Sequence, residues 1–224
     1  MKITFLGTGA ADWRLSEHKH LAGFRRNASI LIDDCLLVDP GPNVLDALCT
    51  FGKSADEIRY IINTHKHGDH YNEDTIASLS NAVFTPMSAG DVKKIGKYTV
   101  EAVKANHSTC ADAVHFLISD GEKTIFYGMD GAWLLYDEVA AIKKNGVDLA
   151  VIDATIGDVP GDFRIFEHNN LNMVLEIKAT LNSFVKRWFI SHMARTLHTA
   201  HEELVERMKP HGIEVAYDGC EIEI

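Results

Sequence analysis

The sequence predicts an α/β protein built as a four-layer αββα sandwich, on two observations. Strand-length apolar runs alternate with stretches of helical spacing, and both halves show one order, a meander of short strands followed by strand and helix in alternation. The strand-length runs fall at 3–6, 28–32, 36–38, 59–62, 83–85, 98–103, 114–118, 124–127, 149–152, 188–190 and 214–216, all rich in β-branched and aromatic residues. Helix-like stretches fall at 44–51, 73–79, 133–144, 171–184 and 199–208, the last two with apolar residues at helical spacing. Two sheets that each need an apolar partner pack on one another and leave their outer faces to the helices. No Pro- or Ser-rich linker separates the halves, so residues 1–224 are expected to form a single domain. The absence of a short-period repeat argues against a solenoid or propeller.

A hydrophobic fraction of 46% beside 24% charged residues is that of a folded chain, not a disordered one. The formal charge of −10 opposes attraction to phosphate backbones and so disfavours a nucleic-acid partner. Carboxylates that ligate cations are counted in that figure as free charges, so bound metal would offset part of it. No apolar run approaches the ~20 residues that span a bilayer, and the opening Met1-Lys2-Ile3-Thr4-Phe5-Leu6-Gly7 has no signal-peptide character. A cytoplasmic protein with no membrane partner is expected. Cys35, Cys49, Cys110 and Cys220 are scattered, which suits reduced thiols better than a disulfide framework or a thiolate zinc site. The anomaly is twelve histidines that form no terminal tag.

Three of them explain themselves by position. The segment Asn63-Thr64-His65-Lys66-His67-Gly68-Asp69-His70 follows the apolar run 59–62 and precedes a helix expected from Glu73, a junction where α/β sheets expose functional loops. In extended backbone, residues two apart point the same way, so His65 and His67 can converge on one ion. Gly68 permits a sharp turn that aims Asp69 and His70 at a second. An isolated histidine pair in a loop is usually just solvated. Four ligand-type residues within six positions, with chemistry suited to zinc or manganese, make a metal site the better reading.

His65-Lys66-His67-Gly68-Asp69-His70 resembles the HxHxDH hallmark of the metallo-β-lactamase superfamily. The resemblance implies the metallo-β-lactamase fold and three more ligands, each after a later strand: His107 in Ala105-Asn106-His107-Ser108, Asp130 in Tyr127-Gly128-Met129-Asp130-Gly131, and His192 in Phe189-Ile190-Ser191-His192. By that analogy His65, His67 and His107 hold one divalent ion, Asp69, His70 and His192 hold another, and Asp130 bridges them. Zinc suits the histidine-rich set, with manganese or iron as credible occupants. The implied reaction is hydrolysis by a bridging hydroxide, which Asp69 can also orient.

Within the superfamily the chain is most similar to the phosphodiesterases that accompany carbon-phosphorus lyase and act on ribosyl cyclic phosphates. Leu6-Gly7-Thr8-Gly9, Arg25-Arg26-Asn27-Ala28-Ser29, Val151-Ile152-Asp153, His168-Asn169-Asn170-Leu171-Asn172 and Tyr217-Asp218-Gly219 carry that likeness in shared order. It implies that His168 contacts the substrate phosphate and protonates the leaving oxygen; the plainer reading is a histidine that caps or solvates the following helix. It also implies a small phosphorylated substrate and a homodimer. The departure is at 10–26, where those enzymes carry zinc-binding cysteines and this chain has none, with His18 and His20 as either pocket-mouth or exposed loop residues. The same ligands serve thioester or lactone hydrolases and tRNA-processing nucleases, and a non-catalytic metal-dependent metabolite-binding module is the alternative of another class.

Other signals carry less. Gly7-Thr8-Gly9 begins a dinucleotide fingerprint, but the sixth position is Asp12, so a tight turn is expected. Asp33, Asp34, Asp39 and Asp153 lie at strand ends, surface turn residues by default, with one or two free to orient ligand histidines. His198, His201 and His211 are expected to face solvent, His115 to be half-buried and hydrogen-bonded in its strand, and Trp13 and Arg14 are candidates for substrate contact.

Overall fold

A computed structural model describes all residues 1–224. A six-stranded sheet has the order β13-β1-β2-β3-β4-β5, with β1 at Lys2–Gly7, β2 at Ser29–Ile32, β3 at Leu36–Val38, β4 at Tyr60–Ile62, β5 at Val83–Phe84 and β13 at Glu221–Glu223. A seven-stranded sheet has the order β12-β11-β10-β9-β8-β7-β6, with β6 at Val92–Ile95, β7 at Tyr98–Lys104, β8 at Val114–Ser119, β9 at Thr124–Gly128, β10 at Val147–Asp153, β11 at Val185–Ser191 and β12 at Glu214–Val215. In the second sheet β6 to β9 form an antiparallel meander and β9 to β12 run parallel.

Alternation along the strands builds the layers. Phe5, Ile30, Ile32, Leu36, Val38 and Ile62 of the first sheet meet Val100, Phe116, Ile118, Tyr127, Val151 and Phe189 of the second in the inter-sheet core, where Phe5 and Phe189 stack at 5.4 Å. Their neighbours Leu6, Leu31, Leu37 and Ile61 point the other way, under α2 (Val44–Thr50) and α3 (Glu73–Ser78). Leu117, Phe126, Ala150, Ile152, Trp188 and Ile190 face outward under α4 (Tyr136–Asn145), α5 (Leu171–Leu181) and α6 (His201–Met208). This is the expected αββα sandwich, with a further single turn, α1, at Leu15–His18.

The differences lie at the edges. Strands β6 and β13 were not expected, because Val-Lys-Lys-Ile and Glu-Ile-Glu read as polar; both are edge strands, where charge blunts pairing with other chains. Helix α4 starts three residues after 133, since Trp133 sits at φ +58°, outside helical space. No helix is long and apolar enough to cross a membrane.

Candidate metal centre

The parallel strands direct their C-terminal ends to one rim. Asp130 follows β9, Asp153 ends β10, His192 follows β11, and across the inter-sheet core the 63–70 loop leaves β4 toward the same rim. Asp39, which follows β3, Asp130 and His192 carry backbone that side chains seldom adopt, at φ +62°, +58° and +62°. Left-handed backbone at non-glycine residues concentrates where structure serves a site. The expected turn forms at Gly68, without a positive φ, and closes by His70 N–H donating to the His67 carbonyl at 3.0 Å. The glycine the loop depends on is Gly41, where an added Cβ would stand 2.1 Å from the Asp69 carbonyl oxygen.

All seven candidates meet at this rim. His65, His67, His107 and Asp130 form one group of donor atoms within 4.8 Å of one another, Asp69, His70, His192 and Asp130 a second, and Asp130 belongs to both. Asp130 Oδ2 lies 3.2 Å from His65 Nε2 and 3.4 Å from His70 Nε2, while Oδ1 lies 2.9 Å from His192 Nε2. His67 Nδ1 and His107 Nε2 stand 3.0 Å apart, and His70 Nε2 is 3.3 Å from Asp69 Oδ2. His65 Nε2 and Asp130 Oδ1 are buried without a hydrogen-bond partner, although each has an oppositely matched atom near. Two buried ligand-type atoms left without a hydrogen bond in the middle of such a cluster suit a common cation.

Outer groups orient these rings. Asp39, fully buried, accepts from His70 Nδ1 at 2.9 Å and from Thr64 N–H at 2.7 Å. Thr155 Oγ1 is 2.7 Å from His192 Nδ1, and Thr64 Oγ1 is 3.0 Å from His65 Nδ1. Asp39 and Asp153 are therefore buried supports, whereas Asp33 (φ +48°) and Asp34 (φ +55°) are half-buried residues of the β2–β3 turn, paired with Lys97 and Lys2. Beneath Asp130, His115 is fully buried, not half-buried, with Nδ1 2.5 Å from Glu138 Oε1 and Nε2 donating to the Met129 carbonyl at 3.1 Å. The ring lies flush on the turn, since a Cβ at Gly131 would stand 2.6 Å from His115 Cε1. Glu138 escaped sequence reasoning because a glutamate in the first turn of a helix ordinarily faces water.

Electrostatics divides the rings. Burial and the neighbouring His70 hold His65 below the ordinary histidine range, and burial pushes His107 down to about 4. Burial also disfavours charge on His192, but Asp130, Asp69 and Asp153 outweigh it and push its pKa up to about 10. His70 is likewise raised, against burial, by Asp130, Asp69 and Asp39. Asp69 and Asp130 are held far below the carboxylate range by these histidines, again against burial.

A cavity of about 210 Å³ opens on the cluster, lined among others by Asp12, His67, Asp69, Asp130, Arg164, Glu167, His168 and His192. His168 Nδ1 is 2.8 Å from Asp153 Oδ2, and Asp153 also accepts from Thr155 N–H at 2.8 Å. The helix that follows is capped by Asn170, whose side chain accepts from Met173 N–H at 2.9 Å, so His168 is not the cap. Trp13 and Arg14 do not line this cavity; Trp13 is buried and donates Nε1–H to the Met193 carbonyl at 3.0 Å. His20 is exposed, and His18 is half-buried, its Nδ1 accepting from Arg14 N–H at 2.9 Å. His198 is not solvent-facing: its Nε2 sits 2.6 Å from the Ala154 carbonyl and 3.1 Å from Gly157 N. His201 is half-buried beside Arg25 at 3.1 Å, and His211 is exposed. A larger groove of about 850 Å³ lies at the opposite strand ends, among Ser119, Thr124, Asp148 and Lys186, and gathers no such cluster.

A family profile of the metallo-beta-lactamase superfamily matches residues 22–72. A new diphosphatase from the PhnP family superposes with a TM-score of 0.76 at 18% identity, over 100% of this chain and 97% of the other. The chain has the metallo-β-lactamase fold. The metallo-beta-lactamase fold protein YhfI from Bacillus subtilis superposes with a TM-score of 0.77 at 17% identity, over 100% and 99% of the two chains. Human tRNase Z, short form, gives 0.73 at 18%, again over 100% and 99%. No curated protein sequence matches significantly. Within the metallo-β-lactamase fold, His/Asp clusters suited to divalent metal stand at the rim to which the strands deliver them.

Proposed function

We propose that the chain is a metal-dependent phosphodiesterase acting on a small, cyclic or open, phosphodiester. The observation that carries this reading is one carboxylate, Asp130, shared by two ligand clusters beside a histidine that Asp153 orients in the same 210 Å³ cavity. His65, His67, His107 and Asp130 would hold one divalent cation, and Asp69, His70, His192 and Asp130 a second; the partnerless His65 Nε2 and Asp130 Oδ1 fit that role. When bound, such a pair supplies a water acidic enough to attack at neutral pH and neutralises phosphate charge. Asp69, on the cavity wall, accepts a hydrogen bond from the attacking water and fixes its direction. His168 keeps Nδ1 on Asp153, which leaves Nε2 for the substrate: it holds a proton at that atom and gives it to the leaving oxygen. The cavity suits a small ester better than a polymer, and the net charge of −10 points the same way.

The test is turnover of the zinc- or manganese-loaded chain against bis(p-nitrophenyl) phosphate, a cyclic nucleotide, an S-lactoyl thioester, a lactone and a precursor tRNA. Phosphodiester cleavage should dominate, and His168→Gln should lower kcat by about 10²–10⁴ with metal content unchanged. Preferential thioester or lactone cleavage would overturn the phosphodiester assignment, and a metal-replete chain inert toward the whole panel would overturn the enzyme.

A further inference from the structure

Behind the shared carboxylate lies a buried ionisable pair that the proposed reaction does not use. His115 and Glu138 are both fully buried, and an apolar pair of the same size would fill their space at least as well, so they call for a role beyond packing. His115 shares with Leu117 the face of β8 that lies under α4, where Phe126 meets its ring edge-on at 5.8 Å and 90°. Glu138 stands in the first turn of α4 and is held from two sides: Oε2 accepts from Leu135 N–H at 2.6 Å, and Oε1 lies 2.5 Å from His115 Nδ1. With Nδ1 fixed there, the opposite corner of the ring donates Nε2–H to the Met129 carbonyl at 3.1 Å. That carbonyl belongs to the peptide joining Met129 to Asp130.

The contact matters because Asp130 sits at φ +58°, backbone that a non-glycine residue keeps only where its surroundings hold it. Turning the 129–130 peptide plane changes that φ, so a hydrogen bond to its carbonyl oxygen pins the angle. The ring closes the turn sterically as well, since a Cβ at Gly131 would stand 2.6 Å from His115 Cε1 and 2.9 Å from Nε2. Past Gly131 the chain is tied to two other parts of the site. Ala132 N–H donates to the Asn106 carbonyl at 3.1 Å, Asn106 Nδ2 donates back to the Ala132 carbonyl at 2.6 Å, and Trp133 N–H donates to Asn169 Oδ1 at 2.7 Å. Asn106 precedes His107 and Asn169 follows His168, so Asp130 is anchored on one side to those segments and on the other to His115.

Resting on the reading of Asp130 as the carboxylate shared by two cations, we infer that His115 is a positioning residue for Asp130, aimed by Glu138: it pins the 129–130 peptide so that Oδ1 and Oδ2 serve the two clusters at once. Two substitutions divide the contacts of the ring. In His115→Gln the amide reaches the place of Nε2, keeping a donor on the Met129 carbonyl and leaving Glu138; in His115→Asn it reaches the place of Nδ1, keeping Glu138 and releasing Met129. Stepwise cobalt(II) affinity of the full chain, by competition with a chromophoric chelator, and exchange coupling between the bound ions, by electron paramagnetic resonance, report on Asp130 apart from turnover. The wild-type chain should bind two coupled ions. His115→Asn should bind the second about 10- to 100-fold more weakly and lose the coupling. His115→Gln should keep both, although it gives up the buried pair and thermal stability with it. A merely structural role would instead make affinity follow stability in both variants. Gly131→Ala, which presses on the ring from the turn, should behave like His115→Asn, and it serves as the test if neither amide at 115 gives a folded chain. Coupling intact in His115→Asn or in Gly131→Ala, or lost equally in the two amide variants, would overturn the positioning role and leave the two-cation reading standing. A wild-type chain with one ion, or with two uncoupled ions, would overturn that reading and the positioning role with it.

Discussion

The two halves of the ligand cluster differ in kind although they share Asp130. His65, His67 and His107 bring three imidazoles, of which His65 and His107 are kept neutral by burial, and no carboxylate beyond the shared one. Asp69, His70 and His192 bring a second carboxylate, with Asp39 behind His70, and their histidines hold protons that answer the surrounding negative charge. One half is a neutral cup and the other an acidic one. The acidic half should bind a cation more tightly at high pH and surrender it to protons more readily, because ligands must be deprotonated to bind.

The largest effect should come from the residue the halves share. Asp130→Asn tolerates the left-handed backbone at that position, and should leave less than one equivalent of metal after dialysis and lower hydrolysis by a factor on the order of 10³ or more. Retention of both equivalents would mean that the halves are independent.

Acidity should then separate the halves. His192, with its pKa near 10, and His70, also raised, are protonated in the metal-free chain at neutral pH, so cation uptake there releases protons and affinity falls as pH falls. Between pH 9 and 6 the loss should be about one decade per pH unit for each proton displaced. His107 titrates only near 4 and His65 is held below the ordinary histidine range, so the half they belong to should lose less over that window. Calorimetric titrations in several buffers would show unequal slopes; equal ones would contradict the contrast.

Removing support should act on one side at a time. Asp39→Asn takes away the carboxylate behind His70 and should weaken the acidic half by about 10- to 100-fold, with the neutral half changed by less. The reverse pattern in competition with a chromophoric chelator would break the assignment.

The smallest expected effect concerns stability. His115 is raised above the ordinary value, against burial, by Glu138, so its pairing stabilises the fold fully below about pH 6.5 and the contribution is lost as pH rises through the folded value. His115→Gln should lower the stability of the metal-free protein by about 3 kcal/mol, with a larger gap at pH 6 than at pH 9 in thermal unfolding. A gap that widens with pH would refute the pairing.

The sequence made the layers and the cluster legible for different reasons. Alternation at Phe5-Leu6, Ile30-Leu31-Ile32 and Leu36-Leu37-Val38 is a local property, and it sorted correctly into the inter-sheet core and the helix-covered face. His65 to His70 announced themselves by density, and His107, Asp130 and His192 were reached through the resemblance that this segment carries. What could not be read was partnership across the fold. Asp39 and Asp153 look like turn residues until the sheets bring them to His70 and His168, Glu138 looks solvated until helix α4 lies on His115, and His198 looks polar and exposed until it meets Ala154.

The most direct test of the shared-carboxylate account is a cobalt(II) or manganese(II) titration of the metal-free chain followed by electron paramagnetic resonance. Two equivalents should bind, and the second should bring exchange coupling between the ions, a coupling that Asp130→Asn abolishes. A single equivalent, or two ions that are magnetically isolated in the wild-type chain, would contradict it.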